Sequence, residues 1–289
     1  LPHTVGLVIT LGLPIFHQGA IFNTTAVIAN GKILGFIPKK QLAGDGVHYE
    51  NRWFKTWPND VYDSLKLDGV DYPFGDFFFE IGDIRIGLEI CEEAWVAKRT
   101  GAQLAQKATD IILNPSASHF AFGKHEVRKR FVLEGSRAFG VAYVYTNLVG
   151  NESGRIIFDG GALIASNGQI VLQSPRFSFA DSAIYTAVID VEMNRTKRAQ
   201  TASFTPLMGT DPSLIRVPFS WLECEPEISH AEVHAWEQSA DIKNEEFYRA
   251  EVLALFDYLR KSRSSGFAVS LSGGVDSAVC ATLAAKCFE

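Results

Sequence analysis

Short apolar runs separated by turn residues fill the first two hundred positions of the chain. One predicted strand covers residues 4–10, and two more, 22–29 and 32–37, flank the dipeptide Asn30-Gly31. Asn-Gly between apolar runs is the strongest short-range signal for a hairpin, because both residues tolerate a positive φ. Turn dipeptides between apolar runs predict two further hairpins, at Gly82-Asp83 and Asn167-Gly168.

Helical patterns alternate with the strands that follow. Residues 100–107 and 124–139 are predicted to be helices, and the buried runs 110–114 and 141–146 are predicted to be strands. Strands interleaved with helices and hairpins favour a mixed α/β sandwich over an all-β barrel.

The regular pattern ends near residue 201 and returns near residue 242. Prolines, serines and threonines with scattered aromatic residues occupy 201–241, which we interpret as a linker packed on a surface. The prolines restrict helix formation around Pro206, Pro212, Pro218 and Pro226. An amphipathic helix is predicted over 244–261, with acidic residues early and basic residues late.

Composition narrows the class of protein. A chain of 289 residues with 47% hydrophobic content can bury a full core in one or two domains. The net charge of −6, with both signs interspersed, argues against a nucleic-acid or anionic-membrane partner, and the apolar runs are too short to span a bilayer. The first residues do not resemble a signal peptide. No C-x-x-C pair occurs among the cysteines, which favours a reducing cytoplasm over a disulfide framework or zinc site.

The last part of the chain carries a phosphate-loop pattern. The apolar run 267–271, a predicted strand, leads into Ser-Gly-Gly-Val-Asp-Ser at 272–277 and then into an Ala-rich predicted helix. Paired glycines turn backbone amides toward an anion, and the hydroxyls add donors at a helix N-terminus. No Gly-Lys-Ser/Thr follows, so this is not a Walker loop. A glycine-rich turn with no ligand is the alternative.

Ser-Gly-Gly-x-Asp-Ser resembles the phosphate loop of the N-type ATP pyrophosphatases, which adenylylate a carbonyl oxygen and release pyrophosphate. The resemblance implies ATP as a ligand and Mg²⁺ as a cofactor, with Asp276 acting through the metal or through the amides of the loop. The residues that it assigns to ATP binding are Ser270, Ser272, Gly273, Gly274, Val275, Asp276 and Ser277.

A second candidate site surrounds Cys91, which follows a predicted strand and precedes Glu92 and Glu93. Acidic neighbours raise the pKa of a thiol, so this setting is unusual for a core cysteine and calls for a nearby cation. Taken alone, Cys91 would more often be an inert small hydrophobic residue.

Together with the segments around Pro38-Lys39-Lys40-Gln41-Leu42 and Tyr49-Glu50, Cys91 resembles the carbon–nitrogen hydrolase (nitrilase) superfamily, whose fold is an α-β-β-α sandwich. Those enzymes use a Glu–Lys–Cys triad. The Lys-x-x-Leu spacing carries the lysine role to Lys39 rather than Lys40, and Glu50 matches a further acid that positions the catalytic groups. A solvated loop charge is the alternative for Lys39, and a surface-loop acid is the alternative for Glu50. By this resemblance, the glutamate that acts as general base would precede Leu1, and we assign its role to no other residue.

Residues around Asn114-Pro115-Ser116 resemble the amide pocket of glutamine-dependent NAD synthetases. The resemblance implies that Glu92 and Ser118 hold the amino and carboxyl ends of glutamine, with Lys124 nearby. Ser118 could equally be a turn residue, and we expect His119 to be structural rather than catalytic. His48 lies where many members of that family carry an aromatic residue.

The whole pattern is similar to the glutamine-dependent NAD synthetases over nearly the full chain. It implies an incomplete hydrolase domain (1–200), a linker (201–241) and the start of a Rossmann-like ATP pyrophosphatase domain (242–289). The implied reaction uses glutamine, ATP and deamido-NAD in a cytoplasmic homo-oligomer, and we expect the 289-residue chain alone to be inactive.

Three alternatives remain open at this stage. Other amidotransferases share the phosphate loop but have glutaminase domains of other folds. A stand-alone amidase or nitrilase would not need the loop. A chain without its general base could serve only as a scaffold.

Overall fold

The computed structural model describes residues 2–152, 154–225 and 233–288. Its strands are β1 (Val8–His17), β2 (Ala20–Ala29), β3 (Lys32–Pro38), β4 (Tyr62–Leu67), β5 (Val70–Gly75), β6 (Phe78–Ile81), β7 (Ile84–Leu88), β8 (Ile111–Ser116), β9 (Ala142–Asn147), β10 (Val149–Glu152), β11 (Ile156–Asp159), β12 (Ala162–Ser166), β13 (Gln169–Gln173) and β14 (Leu214–Val217). Its α-helices are α1 (Glu50–Trp53), α2 (Thr100–Gln106), α3 (Lys124–Phe139), α4 (Val191–Gln200), α5 (Ile242–Ser262) and α6 (Val275–Lys286).

Two large sheets form the body of the protein. The five-stranded sheet has the order β1-β2-β3-β5-β4, and the seven-stranded sheet has the order β13-β12-β9-β8-β7-β6-β14. Strands β7, β8 and β9 run parallel at the centre of the larger sheet, so their carboxyl ends meet at one edge. A separate two-stranded ribbon joins β10 to β11.

Alternation along the strands explains why the two sheets pack face to face. In β3, Ile37 packs against the seven-stranded sheet, whereas its neighbour Phe36 packs on the opposite face with Phe74. Both sheets contribute aliphatic or aromatic side chains to the layer between them: Val27, Ala29, Ile37, Phe79, Ile81, Ile86, Leu88 and Ile90.

Helices α2 and α3 cover the other face of the seven-stranded sheet. Val132 of α3 is fully buried against a cluster that includes Ile112 and Tyr143. The α/β prediction is therefore confirmed, and the two facing sheets with this helical layer account for the β-β-α part of the predicted sandwich.

All three predicted hairpins are confirmed. At Asn30-Gly31 the φ angles are 47° and 75°, the left-handed pair that a tight two-residue turn between twisted strands requires. The helix predicted over 124–139 matches α3, and the helix predicted over 244–261 matches α5 to within two residues.

Two local predictions were wrong. The strand predicted over 4–10 begins only at Val8 and continues to His17, because β1 pairs with β2 along its whole length. The strand predicted over 267–271 does not form. A strand needs a neighbour for its backbone hydrogen bonds, and none of the strands in the described residues pairs with this run.

Part of the predicted linker is ordered as a strand. β14 lies at the edge of the seven-stranded sheet, parallel to β6. Beyond it, Trp221 donates its indole N–H to the carbonyl of Ile81 at 2.8 Å. Residues 226–232, which include Pro226, lie outside the described residues.

Buried charges attach helix α5 to the β10-β11 ribbon and to the segment after β13. Arg176 pairs with Asp159 of β11, with Glu237 and with Glu246 of α5, at 3.4, 2.8 and 3.0 Å. Further along α5, Asp257 accepts a hydrogen bond from the backbone N–H of Asn151 in β10. No helix in the part of the chain that the structure describes is long and apolar enough to cross a membrane.

The core of the larger sheet gives a direct stability test. Ile112 of β8 is 0% exposed. Ile112→Ala should lower the free energy of unfolding by about 3 kcal/mol, because it removes buried contacts and leaves a cavity. Val70→Ala is the control, since Val70 is 51% exposed. Urea denaturation followed by tryptophan fluorescence measures both, and equal losses would contradict the placement of Ile112.

Candidate active site

Cys91 lies just beyond the carboxyl end of β7, where it opens a 3₁₀ turn over Cys91–Ala94. Its side chain is half-buried, and its φ angle is 47°. A left-handed backbone conformation is costly for a residue with a Cβ and occurs often at active sites. The thiol is therefore presented on a sharp, strained turn rather than on the straight strand.

A buried carboxylate holds the strand that leads into this turn. Glu89 is 0% exposed and accepts hydrogen bonds from the Arg99 guanidinium, the Gly101 backbone N–H and the Tyr143 hydroxyl at 2.6, 2.7 and 2.5 Å. These three donors offset the cost of burying the charge.

A second buried carboxylate connects this turn to the loop after β3, which carries Lys39 and Lys40. Glu93 accepts the backbone N–H of Ile90 at 3.0 Å and the backbone N–H of Lys40 at 2.7 Å. The two acids that follow Cys91 thus have different roles. Glu93 accepts hydrogen bonds from backbone N–H groups, whereas Glu92 remains partly exposed.

The two lysines of this loop face different partners. Lys39 is buried and donates to Glu50 at 2.5 Å. Lys40 instead pairs with Asp76 at 2.6 Å. Only Lys39 is among the residues that line the cavity containing Cys91.

Glu50 is held by three donors. Besides the Lys39 ammonium, it accepts the Asn23 side-chain amide at 2.7 Å and the Ala43 backbone N–H at 2.6 Å. Helix α1 begins at Glu50, so the carboxylate is fixed at the start of a helix and oriented toward the end of β3. It is well placed to orient the Lys39 ammonium.

A cavity of about 880 Å³ joins these groups. It is large enough for a small polar ligand. Cys91, Lys39 and Glu50 all line it, together with Asn23, His48, Ser116, Asn147, Glu152 and Arg155.

Glu92 and Lys124 lie close enough to this cavity to act on it electrostatically. Burial raises the pKa of Glu92, and the Lys39 ammonium acts in the opposite direction. Burial and the nearby Arg128 lower the pKa of Lys124 to about 8, while Cys91 and Glu92 oppose that shift. Neither residue lines the cavity, but one acidic and one basic side chain act on the charged groups around it.

Ser118 is almost fully buried, as Lys39 is. It is 2% exposed, and its hydroxyl accepts a hydrogen bond from Arg128 at 3.2 Å. Its backbone N–H donates to Asn147 at 2.8 Å. Arg128 is held in turn by Asp159, at 2.7 and 2.8 Å. Contact of Ser118 with a substrate stays a prediction.

Several residues of the site were not predicted from the sequence. Asn23 and Asn147 hydrogen-bond directly to the predicted residues Glu50 and Ser118. Glu93 and Asp159 act one step away, through the Lys40 backbone and the Arg128 guanidinium. None of them belongs to a motif with regular spacing. Asn147 was within reach of sequence reasoning, because it follows a predicted strand that runs parallel to the one before the Ser118 loop.

The predicted phosphate loop forms a separate feature. Gly274 is the N-cap of α6, and Gly273 has a φ of 85°. The first helical hydrogen bond runs from the Ala278 N–H to the Gly274 carbonyl, so the N–H groups of 275–277 have no partner within the helix.

The space around the loop suits an anion. A Cβ on Gly273 would meet no atom within 4 Å, and on Gly274 it would meet only the Ser272 hydroxyl at 3.6 Å. The hydroxyls of Ser272 and Ser277 lie 3.2 Å apart across the turn. Exposed amides at a helix N-terminus, flanked by hydroxyls, fit a phosphate group.

The cysteine, lysine and glutamate around one cavity, on two facing sheets, are the features of a carbon–nitrogen hydrolase. The family model for carbon-nitrogen hydrolases matches residues 1–199, and the chain belongs to this family. The family model for NAD synthase matches residues 247–289, which include the phosphate loop.

The chain is similar to glutamine-dependent NAD(+) synthetases. It is 32% identical to that of Bos taurus over 98% of the chain and 33% identical to that of Saccharomyces cerevisiae over 96%. It spans about 41% of the length of either relative. The crystal structure of the glutamine-dependent NAD(+) synthetase of Cytophaga hutchinsonii matches 98% of this chain with 36% identity and a TM-score of 0.73, over 39% of that chain. That of Acinetobacter baumannii, in complex with ADP, matches 97% with 25% identity and a TM-score of 0.67, over 43% of its chain.

The three hydrogen bonds at Glu50 predict a structural cost when its charge is removed. Glu50→Gln should lower the free energy of unfolding by about 2 kcal/mol. The substitution replaces one accepting oxygen of the carboxylate with an NH₂ group, which would face the N–H donors that now bind Glu50. Glu126→Gln is the control, since Glu126 is half-exposed and pairs with Lys129 at 3.4 Å. It should change stability by less than about 0.5 kcal/mol. Thermal and urea unfolding check both, and a neutral Glu50→Gln would contradict the assignment of these donors.

Proposed function

We propose that this chain belongs to a glutamine-dependent NAD synthetase. In this reaction, ammonia released from glutamine amidates deamido-NAD at the expense of ATP, giving NAD, AMP and pyrophosphate. The observation that carries the proposal is the shared cavity of Cys91 and the Lys39–Glu50 pair. The NAD synthase match and the named relatives support the second half of the reaction.

The hydrolase site supplies a nucleophile and a fixed cation. The Cys91 thiolate attacks the carboxamide carbon of glutamine, and the Lys39 ammonium stabilises the negative charge that develops on the carbonyl oxygen. Glu50 accepts three hydrogen bonds, so its role is to orient Lys39 rather than to accept the thiol proton. The general-base glutamate implied by the nitrilase resemblance would take the thiol proton and pass it to the leaving nitrogen, so that ammonia departs. Water then hydrolyses the thioester to glutamate, which frees the thiol.

Recognition of glutamine requires complementary charges for its α-amino and α-carboxylate groups. Glu92 and Lys124 supply one acid and one base, and the electrostatic effects of Lys39 on Glu92 and of Cys91 on Lys124 support this assignment. In this proposal Glu92 attracts the α-ammonium, and Lys124 attracts the α-carboxylate. Ser118 follows the lining residues Ser116 and Ala117, and its hydrogen bonds with Arg128 and Asn147 hold this loop in place.

The loop over 270–277 would bind the phosphates of ATP, as its exposed amides and hydroxyls allow. Asp276 lies in the first turn of α6 and would hold Mg²⁺ together with phosphate oxygens, an arrangement that this ion favours. When bound, the ion would offset phosphate charge. Among the described residues, no group of three or more His, Cys, Asp or Glu side chains could hold a metal by itself.

The cellular setting forms part of the proposal. We infer a cytoplasmic enzyme that takes glutamine, ATP and deamido-NAD as substrates and acts on neither nucleic acid nor membranes. All four cysteines are free thiols, which supports a reducing compartment. Assembly into a homo-oligomer stays a prediction.

Nitrogen-source dependence tests the role of Cys91. In the full-length protein, Cys91→Ala should abolish glutamine-dependent NAD synthesis while leaving ammonium-dependent synthesis within about twofold, because only the first reaction needs the thiol. Cys224→Ala, a change at an exposed cysteine, is the control and should affect neither reaction. Equal loss with both nitrogen sources would mean that Cys91 supports the fold instead.

A pair of glycine variants tests the phosphate loop. Gly274→Ala should lower ammonium-dependent AMP formation by at least about 100-fold, because a methyl group would meet the phosphate that approaches these amides. Its φ of −86° suits alanine, so the fold itself should tolerate the change.

Gly266→Ala is the matched control, because a Cβ there meets no atom within 4 Å. It should leave AMP formation unchanged, and both variants should retain glutamine hydrolysis. Normal AMP formation in Gly274→Ala would remove the loop from the mechanism.

A further inference from the structure

Two histidines from distant segments meet at the edge of the catalytic cavity. His48 lies between β3 and α1 and lines the cavity, and His119 follows β8. His119 Nδ1 and His48 Nε2 are 2.8 Å apart, and the ring centroids are 4.7 Å apart. This is a direct ring-to-ring hydrogen bond, so one of the two nitrogens carries a proton and the other accepts it.

The pair continues to Lys124, whose pKa is affected by the charge of Cys91. The Lys124 ammonium is 3.1 Å from Nδ1 and 3.4 Å from Nε2 of His119, and it also lies 5.3 Å from the centre of the Trp95 ring. An ammonium can only donate a hydrogen bond, so His119 must offer it an unprotonated nitrogen. A doubly protonated His119 would repel Lys124 instead.

Charges around the pair keep both rings neutral. Burial, the Lys124 ammonium, His48 and Arg128 lower the pKa of His119 to about 4, with Asp159 opposing them. Burial and Lys124 also lower the pKa of His48, where Glu50 acts in the opposite direction and Lys39 in the same one. Each ring therefore has one donor and one acceptor nitrogen at neutral pH.

One arrangement of protons satisfies all three groups. Each imidazole nitrogen has one in-plane site for a proton or a lone pair, and the bond to His48 uses that of His119 Nδ1. The lone pair left for Lys124 is therefore that of Nε2 at 3.4 Å, although Nδ1 is nearer at 3.1 Å. His119 then carries its proton on Nδ1 and donates it to His48 Nε2. If His48 could not accept, the proton on His119 could move to Nε2, and the ammonium would turn from Nε2 to the freed lone pair of Nδ1, 3.1 Å away. His48 thus controls which nitrogen of His119 faces the lysine.

We propose that His48 is a positioning residue: by fixing the tautomer of His119, it holds the Lys124 ammonium where the carboxylate of an α-amino-acid amide binds beside Cys91. The inference rests on the proposed glutaminase function and adds a determinant of affinity for the amide substrate. His48 acts through His119 and Lys124 and takes no part in bond making or breaking.

Replacing His48 by phenylalanine and by glutamine tests this role in the full-length protein. Phenylalanine keeps an aromatic ring but offers no acceptor, whereas the glutamine side-chain oxygen can still accept from His119. His48→Phe should raise KM for glutamine about tenfold, the effect of weakening one hydrogen bond to a charged group, with little change in kcat. His48→Gln should restore KM to within about twofold of the unmodified protein.

Ammonium-dependent synthesis and the pH profile separate positioning from folding. Both variants should keep ammonium-dependent synthesis unchanged. In the unmodified protein, KM for glutamine should rise as pH increases through about 8, because Lys124 then loses its proton. That alkaline rise should persist in His48→Gln and be much smaller in His48→Phe, in which the ammonium is no longer held in place.

Three outcomes would overturn the inference. One is an unchanged KM in His48→Phe. Another is an equal rise in KM in both variants, which would show that ring packing matters rather than the acceptor. A third is a joint loss of glutamine- and ammonium-dependent synthesis, which would indicate a structural role.

If the unmodified protein hydrolyses no glutamine, the proposed function fails, and the His119 tautomer then decides the inference. Nitrogen-15 chemical shifts of its imidazole should show a proton on Nδ1 in the unmodified protein and a mixture of tautomers in His48→Phe. Identical spectra would overturn the role given to His48.

Discussion

The buried carboxylate of Glu93 is the constraint on which the arrangement of the site depends. It accepts one backbone N–H from the residue before Cys91 and one from the residue after Lys39. The nucleophile comes from one sheet and the ammonium from the other, so a single side chain fixes the distance between them. Burying this charge is costly, and the backbone donors and the Lys40 ammonium reduce the cost.

Parallel strands explain why residues far apart in sequence share one cavity. Cys91 follows β7, Ser116 ends β8 and Asn147 ends β9, and these three strands are adjacent and parallel. Their carboxyl ends therefore open at the same edge, where ligands bind in many α/β sheets. The five-stranded sheet closes the cavity from the other side with Lys39 and Glu50.

The sequence correctly predicted elements that depend on interactions between residues close together in the chain. The Asn30-Gly31 turn and helix α3 depend on backbone preferences and short-range periodicity, and both were predicted from the sequence. The prediction failed where pairing is long-range. The run 267–271 has strand composition, yet a strand exists only when another strand accepts its hydrogen bonds. The candidate catalytic residues came from motif resemblance, whereas the partners of His48 and Glu93 depend on how distant loops pack and have no sequence signal.

Arg176 limits how the segment between the two family matches can move. Its side chain is buried among Asp159, Glu237 and Glu246. Dissolved ions therefore screen the attraction between the guanidinium and these carboxylates much less than they screen an exposed ion pair. Sliding α5 away from the sheets would leave charges unpaired in a medium of low polarity, which is far more costly than parting an exposed pair. These buried ion pairs thus hold helix α5 against the hydrolase domain. Any displacement of the residues after α5 would therefore have to bend the chain at Arg263 or beyond, where the backbone turns into the left-handed region.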